Sequence, residues 1–449
     1  MATTYLTRTL GTPTDNNKWT FSCWLKYTRY SGTYPNSEAP FFHADAGSTT
    51  SWSFIGLDEA NQLILQNRIS SANVGYIISN AKLQDAGAWY NVVAVFDGSN
   101  STAADRQILY LNGERITSFA GETQAPLNTV SNINSAIEHR IGRGHGHYGS
   151  KYFGGSMTHV NFIDGTAYPA TAFGSVDSTS GIWTINTAPS VTYGNNGFSI
   201  LKDGISLTDS SPNSNNFSLG GGTLTKTEDC PDNNFTTMNP LDNYYAAGTF
   251  SNGNNTVVTS NGNYARNSST IGMSTGKWYS EYKVGSITGS GGIYIGITGD
   301  LATGTGGNTG NSPFSYAYAS NGTKHFNGSS SSFGNSYTTG DIIGVALDAT
   351  NSKIWWSKNG VWQASGDPSN GSNPAYTVVV PSSTTIGAYF WSFSDNNSGE
   401  YFTCDCNFGN GYFGTTPVSS AGTNASSNGI FEYDVPTGYT ALSTKGLNL

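Results

Sequence analysis

The stretch from Gly340 to Trp362, GDIIGVALDATNSKIWWSKNGVW, constrains the fold of this chain more than any other. Alternate residues from Ile343 to Leu347 are apolar, and the residues between them are apolar or small. A strand that is apolar on both faces is predicted to lie between two buried surfaces. Asn359-Gly360 is a strong signal for a two-residue hairpin turn. The stretch therefore predicts a hairpin inside a layered β-structure, with the adjacent Trp355 and Trp356 pointing to opposite faces.

The same pattern occurs earlier in the chain, from Gly87 to Arg115. Alternate residues from Tyr90 to Phe96 are apolar or aromatic, and Asn112-Gly113 supplies a second hairpin turn. No long stretch shows a helical period, and a chain of 449 residues is too long for a single core. The sequence therefore predicts an all-β fold with two antiparallel β-sandwiches in tandem. The residues expected to be buried in them include Phe21, Val93, Phe96, Leu111, Val345, Leu347 and Ile354.

Both hairpin stretches resemble known families. Residues 340–362 resemble the core motif of SPRY domains, a Gly-Asp-x-Ile-Gly strand followed by an Ile-Trp-Phe-Ser-Lys-Asn-Gly strand, with Trp356 in place of the Phe. Residues 87–115 resemble the concanavalin A-like (laminin G-like) sandwich, through its Trp-x-x-Val-Val and Leu-Tyr-Leu-Asn-Gly strands. Residues 154–165 are similar to the closing strand of laminin G-like modules. The resemblance implies a concanavalin A-like jelly roll followed by a SPRY-like sandwich.

Four segments follow from these matches and from composition. We place the concanavalin A-like sandwich at residues 1–174, an irregular connecting arm at 175–243, the SPRY-like sandwich at 244–427 and an extended C-terminal tail at 428–449. Ser, Asn and Gly dominate the arm, which is expected to pack on one or both sandwiches. The arm also carries four apolar side chains that are predicted to be buried in the interface of a homo-oligomer. They are Ile182, Trp183, Ile185 and Phe198.

Three further segments suggest a biological setting. Asp209–Phe217 with Asn233–Asp242 resembles the joint of a group of bacteriophage virion proteins, and Phe431–Leu442 resembles their C-terminal tail. Those proteins run from a laminin G-like sandwich through this joint to a SPRY sandwich. The resemblance implies a structural virion component that is made in the host cytoplasm: a tail fibre, an appendage or a capsid decoration. It also implies a homo-oligomer, often a trimer, with other virion proteins as partners.

The charge and hydropathy of the sequence limit the kinds of partner that the protein is expected to bind. The formal net charge is −9 and no cluster of Lys and Arg appears, so nucleic acid is not an expected partner. No apolar run approaches the length of a membrane helix, and the first residues lack the pattern of an export signal. Cys23, Cys404 and Cys406 alternate with aromatic residues on predicted strands and are expected to be small, reduced core residues. A Cys-x-Cys metal or redox pair is the alternative.

Catalytic patterns are weak. The Glu-x-Asp-x-x-Glu strand of concanavalin A-like glucanases is missing, although distant residues could still supply two carboxyl groups. We therefore predict that the protein is not an enzyme and needs no cofactor. Two alternatives stay open, namely a polysaccharide-degrading virion enzyme and a SPRY-type protein-interaction module.

Loop aromatics beside amides are the stronger functional signal, because a flat ring can stack on a sugar while amides bind its hydroxyl groups. We predict that the protein binds a host-surface glycan through loops at the ends of the sandwiches. The candidate residues are Tyr148 and Tyr152 in the first domain and Trp391, Asp395, Asn396 and Asn397 in the second. His145 and His147 fit a polar loop better than a metal site, so no metal is expected, although imidazole is a common ligand.

Overall fold

A computed structural model of the chain describes residues 3–28, 38–45, 47, 49–144, 151–244, 248–259, 265–288, 292–300, 307–395 and 401–448. The chain divides into two compact units, one formed by residues 1–27 and 34–226 and the other mainly by residues 227–449. In the described ranges the helices are one-turn 3-10 helices, and no helix there is long and apolar enough to cross a membrane. These helices are Ala103–Asp105, Ala170–Ala172, Gln363–Ser365, Pro381–Ser383 and Gly446–Asn448. The prediction of an all-β fold is confirmed.

The first unit is built from strands β1 to β16. In chain order they are β1 (Tyr5–Thr9), β2 (Lys18–Tyr27), β3 (Ala39–Asp45), β4 (Trp52–Leu57), β5 (Gln62–Ile69), β6 (Ala72–Lys82), β7 (Tyr90–Asp97), β8 (Gln107–Leu111), β9 (Glu114–Arg115), β10 (Phe119–Thr123), β11 (Glu138–Ile141), β12 (Gly155–Asp164), β13 (Gly174–Val176), β14 (Trp183–Ile185), β15 (Phe198–Ile200) and β16 (Ser218–Gly221).

Two antiparallel sheets form this first sandwich. Eight strands pair in the order β10-β6-β5-β4-β3-β11-β1-β16, and six pair in the order β15-β12-β2-β7-β8-β9. The core between the sheets is aromatic: Phe21 stacks on Phe42 with ring centroids 5.1 Å apart, and Trp19 stacks on Phe96 at 5.6 Å. Successive side chains of β7 point to opposite faces, so one face of the strand lies in the core and the other lies on the outside of the sheet. Val92, Ala94 and Phe96 point into this core, while Val93 and Val95 point to the outer face.

Residues 165–226 complete the first unit. Phe173 and Trp183 cover the outer face of the six-stranded sheet, where the Trp183 indole donates a hydrogen bond to the Asn91 side chain. Phe198 lies in the core, so it needs no cover from a partner, contrary to the prediction for this arm. Ile182 is 64% exposed.

The Asp209–Phe217 motif has a structural explanation. The Asp209 carboxylate accepts hydrogen bonds from the backbone amides of Ser199, Ser211 and Asn215. This bonding fixes a tight loop beside β15.

The second unit is built from strands β17 to β34. In chain order they are β17 (Met238–Tyr244), β18 (Thr249–Ser251), β19 (Thr256–Val258), β20 (Arg266–Ser269), β21 (Lys277–Thr288), β22 (Tyr294–Thr298), β23 (Ser315–Ala319), β24 (Thr323–Phe326), β25 (Ser329–Ser332), β26 (Ile342–Asp348), β27 (Lys353–Lys358), β28 (Val361–Trp362), β29 (Tyr376–Thr377), β30 (Phe390–Ser394), β31 (Tyr401–Asn407), β32 (Tyr412–Phe413), β33 (Thr416–Pro417) and β34 (Thr440–Ala441).

The second sandwich also consists of two sheets. One pairs in the order β17-β20-β30-β22-β23-β24-β25, and the other in the order β18-β19-β31-β21-β26-β27-β28. In the second sheet, β29 pairs with β27 and β34 pairs with β21. All the pairings are antiparallel except that of β21 with β34. Trp356 fills the core between the sheets, and its neighbour Trp355 lies on the outer face, as their adjacency on one strand predicts.

The two Asn-Gly pairs form the predicted hairpin turns. Asn112 and Gly113 have φ of 48° and 84°, and Asn359 and Gly360 have φ of 48° and 79°. A two-residue hairpin turn of this kind needs positive φ at both central residues, which Asn and Gly tolerate best. The turns join β8 to β9 and β27 to β28.

The C-terminal segment covers the outer face of the second sandwich. Phe431 and Tyr439 pack with Tyr279 and Trp355 in a buried apolar cluster. The Glu281 carboxylate is fully buried below them and accepts hydrogen bonds from the backbone amides of Glu432 and Tyr433, at 2.8 and 2.9 Å. The segment is therefore fixed by apolar contact and by one buried acid.

Most of the burial predictions are confirmed. Cys23, Cys404 and Cys406 are free, buried core residues, and burial raises the pKa of the Cys23 thiol. Leu111 is only half-buried, because it lies at the end of β8. The other residues expected in the core are buried, and they are Phe21, Val93, Phe96, Val345, Leu347 and Ile354.

Candidate functional site

One predicted aromatic residue of the first unit lies in a compact surface cluster. Tyr152 pairs with Arg143 through an isolated β-bridge directly after β11, and its ring lies 6.3 Å from the ring of Tyr5 in an edge arrangement. The Arg143 guanidinium lies over both rings, 4.7 Å from the Tyr5 centroid and 5.1 Å from the Tyr152 centroid. The Arg140 guanidinium lies 5.3 Å from the Tyr5 centroid. We call Tyr5, Arg140, Arg143 and Tyr152 the Arg143 patch.

Local structure fixes each member of the Arg143 patch. Tyr5 begins β1, and its ring packs on the backbone of β16, where an added Cβ atom at Gly220 would lie 2.2 Å from the ring. Arg140 lies on β11, which pairs with β1, and forms an ion pair with Glu138. The Gly144 amide donates to the Lys151 carbonyl at 3.1 Å, which ties together the two segments that carry Arg143 and Tyr152. All four side chains of the patch are half-buried, so part of each reaches the surface.

The remaining first-domain candidates, Tyr148, His145 and His147, lie outside the described residues. The described residues on either side of them, Gly144 and Lys151, adjoin Arg143 and Tyr152 in sequence. Within the ranges that are described, no group of three or more His, Cys, Asp or Glu side chains is arranged to hold a metal ion. His139 is buried, its two ring nitrogens bond the Ile137 carbonyl and the Asn134 amide, and burial lowers its pKa to about 4. Both nitrogens are therefore engaged in the fold.

The second-domain candidates are placed differently. Trp391 is fully buried in β30, so the prediction that its ring serves a surface loop is wrong. It shares an inward-facing alternation with Tyr389 and Phe393, both fully buried, and this pattern was readable in the sequence. Asp395 is also buried, and its carboxylate accepts the Ala265 amide at 2.8 Å, which ties β30 to the entry of β20. Asn396 and Asn397 lie outside the described residues.

The second unit has a different surface feature. An open depression of about 480 Å³ lies between residues 332–335, which begin with the last residue of β25, and residues 361–364, which begin with β28. We call it the β25–β28 depression. Phe333 and Trp362 are half-buried in it and Val361 is 65% exposed. Ala364 and Ser365, at and just beyond its rim, have φ of 52° and 55°, a strained conformation for residues other than Gly.

Sequence reasoning missed Tyr5, Arg143 and the β25–β28 depression. Tyr5 and Arg143 are far apart in sequence, and only the pairing of β1 with β11 brings them together. Exposed Val361 beside Trp362 was a local signal for the depression, because an apolar pair directly after a hairpin turn at a sheet edge has little core to enter.

The two units also match known domain families. Residues 2–171 match the family model described as the concanavalin A-like lectin/glucanases superfamily, in its Laminin_G_3 form. Residues 277–388 match the SPRY domain model. The chain therefore joins a concanavalin A-like domain to a SPRY domain. Both assignments confirm the predicted pair of tandem sandwiches, and together they indicate carbohydrate binding or protein interaction.

Solved structures similar to the chain come from diverse organisms. The SPRY domain of human HERC1 is 16% identical, with 38% of this chain and 96% of that chain covered and a TM-score of 0.30. A heptameric SAP-like pentraxin from Limulus polyphemus is 14% identical, covers 50% and 88% of the two chains, and gives a TM-score of 0.30. A putative carbohydrate binding protein from Bacteroides ovatus is 14% identical, with 50% of this chain and 58% of that chain covered and a TM-score of 0.31. No curated protein matches the chain in sequence.

Proposed function

We propose that this protein binds a host-surface glycan without catalysis, as a structural component of a bacteriophage virion. The Arg143 patch carries the proposal. It combines two tyrosine rings with two guanidinium groups at the partly exposed surface of a concanavalin A-like sandwich, and Tyr148 precedes Tyr152 closely in sequence.

The chemistry of the Arg143 patch suits a sugar. A half-exposed tyrosine ring offers a flat apolar surface for the C–H face of a pyranose, and its hydroxyl can bond a sugar hydroxyl. Guanidinium groups present several N–H donors in a fixed plane. Arg143 lies over both rings and holds them in a defined arrangement, so less side-chain entropy is lost when a ligand binds.

The virion assignment rests on the order of segments along the chain. A laminin G-like sandwich, the Asp209–Phe217 and Asn233–Asp242 joint, a SPRY sandwich and the Phe431–Leu442 tail follow one another as in the phage proteins that these segments resemble. In this proposal the protein is a tail fibre, appendage or capsid decoration, contacts other virion proteins and forms a homo-oligomer. Several weak glycan sites on one oligomer would raise the overall avidity by a factor on the order of 10²–10⁴.

Binding without turnover is supported by how the buried acids are used. The Asp164 carboxylate accepts the Thr14 and Asn196 amides at 2.7 and 3.0 Å, and Asp209 and Glu281 likewise accept backbone amides. These carboxylates hold loops in place. A glycosidase needs two carboxyl groups that face the sugar across a gap of about 5–10 Å.

The test uses the whole protein and polysaccharide extracted from the envelope of the host. We expect micromolar binding at a single site, which corresponds to about −8 kcal/mol, and no release of reducing sugar over time. Tyr152→Ala and Tyr148→Ala should weaken binding while the melting temperature stays close to that of the parent protein. Tyr401→Ala is the matched control, because Tyr401 is 43% exposed and belongs to the other unit.

Two results would refute the proposal. Reducing ends that accumulate with time would assign the protein to the polysaccharide-degrading enzymes. Absence of binding, together with labelled electron microscopy that maps the protein to a regular capsid lattice, would leave a purely structural decoration. Mass spectrometry of purified particles tests the virion location separately from glycan binding.

A further inference from the structure

The β25–β28 depression lies where two sheets end. β25 is the last strand in the order of its sheet and β28 is the last strand along the main path of the other. Residues 332–335 continue from β25, so one wall of the depression follows directly from an outermost strand. An outermost strand presents backbone N–H and C=O groups that can pair with another chain.

β25 is a short edge strand of four residues, and its own side chains do not block the edge. Natural edge strands are commonly blocked by charged side chains, prolines or bulges. β25 consists of four serines, all exposed, and pairs with β24 in an unbroken register from Ser329–Phe326 to Ser332–Thr323. Its small uncharged side chains leave room for a further strand beside it.

A buried side chain, that of Gln363, joins the two walls of the depression. The Gln363 amide group donates to the Val361 carbonyl at 2.8 Å, and its oxygen accepts the Asn335 amide at 2.8 Å. Gln363 thereby joins the segment after β25 to the segment after β28. Phe333 is held from below by the Trp356 ring, with centroids 5.9 Å apart, and Trp362 contacts the Tyr279 ring at 6.3 Å. The depression is therefore formed before any ligand arrives.

We propose that β25 and the β25–β28 depression together bind an extended segment of a partner polypeptide by strand addition. The partner's backbone pairs with the outer edge of β25, and one of its apolar side chains enters the depression against Phe333, Val361 and Trp362. None of the eight residues that line the depression is charged, which disfavours an ionic side chain, and the large side chains of Phe333, Val361 and Trp362 offer an apolar contact. Pairing along an edge supplies affinity, and a pocket for one side chain supplies specificity.

A displayed library of random peptides of about nine residues, selected on the whole protein, provides the probe. We expect the selected sequences to share one apolar position between residues that favour strands, and the synthetic peptide to bind with a micromolar Kd. Val361→Asp should weaken this peptide by about tenfold or more, because a carboxylate would enter the apolar contact. Val380→Asp is the matched control, since Val380 is 52% exposed in the same unit and does not line the depression.

Changes in the peptide separate strand addition from simple pocket filling. N-methylation at alternate positions removes backbone donors on one edge of the peptide and keeps every side chain. One alternating set should abolish binding while the other set has little effect.

Three outcomes would overturn the proposal. In the first, the selected peptides bind Val361→Asp as tightly as the parent protein. In the second, both N-methylated sets bind equally well. In the third, Val361→Asp abolishes the binding of a sugar or the formation of a dimer. That result would show that a glycan or a second copy of the chain occupies the depression. The Arg143 patch belongs to the other unit, so failure of either proposal leaves the other unchanged.

Discussion

In each sandwich the outer face of one sheet is covered by another segment of the chain, but the two covers are held in different ways. In the concanavalin A-like domain, Phe173 and Trp183 cover the face around Val93 and Val95 largely by apolar contact. In the SPRY domain, the segment around Phe431 covers β21 by apolar contact and also by bonding to the buried Glu281 carboxylate. Apolar cover tolerates small shifts, whereas a buried acid demands its donors in fixed positions. The second cover is therefore the more specific and the more sensitive to pH.

The largest difference is expected between Trp391 and Tyr152, both of which the sequence predicted to bind a glycan. Trp391→Ala should lower the free energy of unfolding by about 3–5 kcal/mol, because it opens a cavity in the SPRY core. Tyr152→Ala should change it by about 1 kcal/mol or less, because the ring is half-exposed. Urea denaturation of both variants measures the difference. Similar values would mean that one of these placements is wrong.

A second pair of variants tests whether the units melt independently. Leu347→Ala in the SPRY core and Leu109→Ala in the concanavalin A-like core each remove a fully buried side chain. Each should cost about 2–5 kcal/mol through the cavity it leaves. Scanning calorimetry should show that each variant lowers the transition of its own unit. If both variants lower one shared transition, the units unfold together.

The pH dependence should differ in sign between the units. Burial lowers the pKa of His139 to about 4, and burial raises the pKa of Glu281 to about 7. The His139 contribution is present above the ordinary histidine pKa of about 6.5 and is lost as the pH falls through 4. The Glu281 contribution is present below about pH 4.5 and is lost as the pH rises through 7. Each contribution amounts to about 3 kcal/mol.

Calorimetry between pH 4.5 and 7.5 can isolate these contributions. Wild type is compared with His139→Gln and Glu281→Gln at each pH, so that other titrating groups cancel. As the pH rises, the free energy of unfolding of wild type should increase relative to that of His139→Gln. Relative to that of Glu281→Gln, it should decrease. Differences that change in the same direction would contradict the assigned protonation states.

The smallest effect on stability is expected at the exposed hairpin of β13 and β14. Val176 and Ile182 are 57% and 64% exposed, so replacing both with Ser should change the free energy of unfolding by about 0.5 kcal/mol or less. If this hairpin supports the predicted homo-oligomer, light scattering at micromolar concentration should show a shift towards monomer. Leu127→Ser, at a residue 52% exposed in the same unit, is the control. A monomeric wild type would refute the predicted assembly.

Local pattern was enough to predict the strands and turns, and it was not enough to predict the surfaces. Two-residue alternation identified β7 and β26, and Asn-Gly identified the two hairpin turns, because each signal lies within a few neighbouring residues. The Arg143 patch depends on the pairing of β1 with β11, and that register is set by contacts distant in sequence. The prediction for Trp391 was wrong because closeness to a loop does not decide which way a side chain points, whereas the inward alternation that Trp391 shares with Tyr389 and Phe393 does.

The distance between Glu281 and its backbone donors has a consequence during synthesis of the protein. The Glu432 amide that bonds this carboxylate lies 151 residues further along the chain. At about 5–20 residues per second, a ribosome needs roughly 8–30 s to add them. During that interval the outer face of β21, with Tyr279 and Glu281, has no C-terminal segment to cover it. The outer-face side chains of β21 therefore stay accessible to chaperones and to neighbouring nascent chains until the last segment emerges.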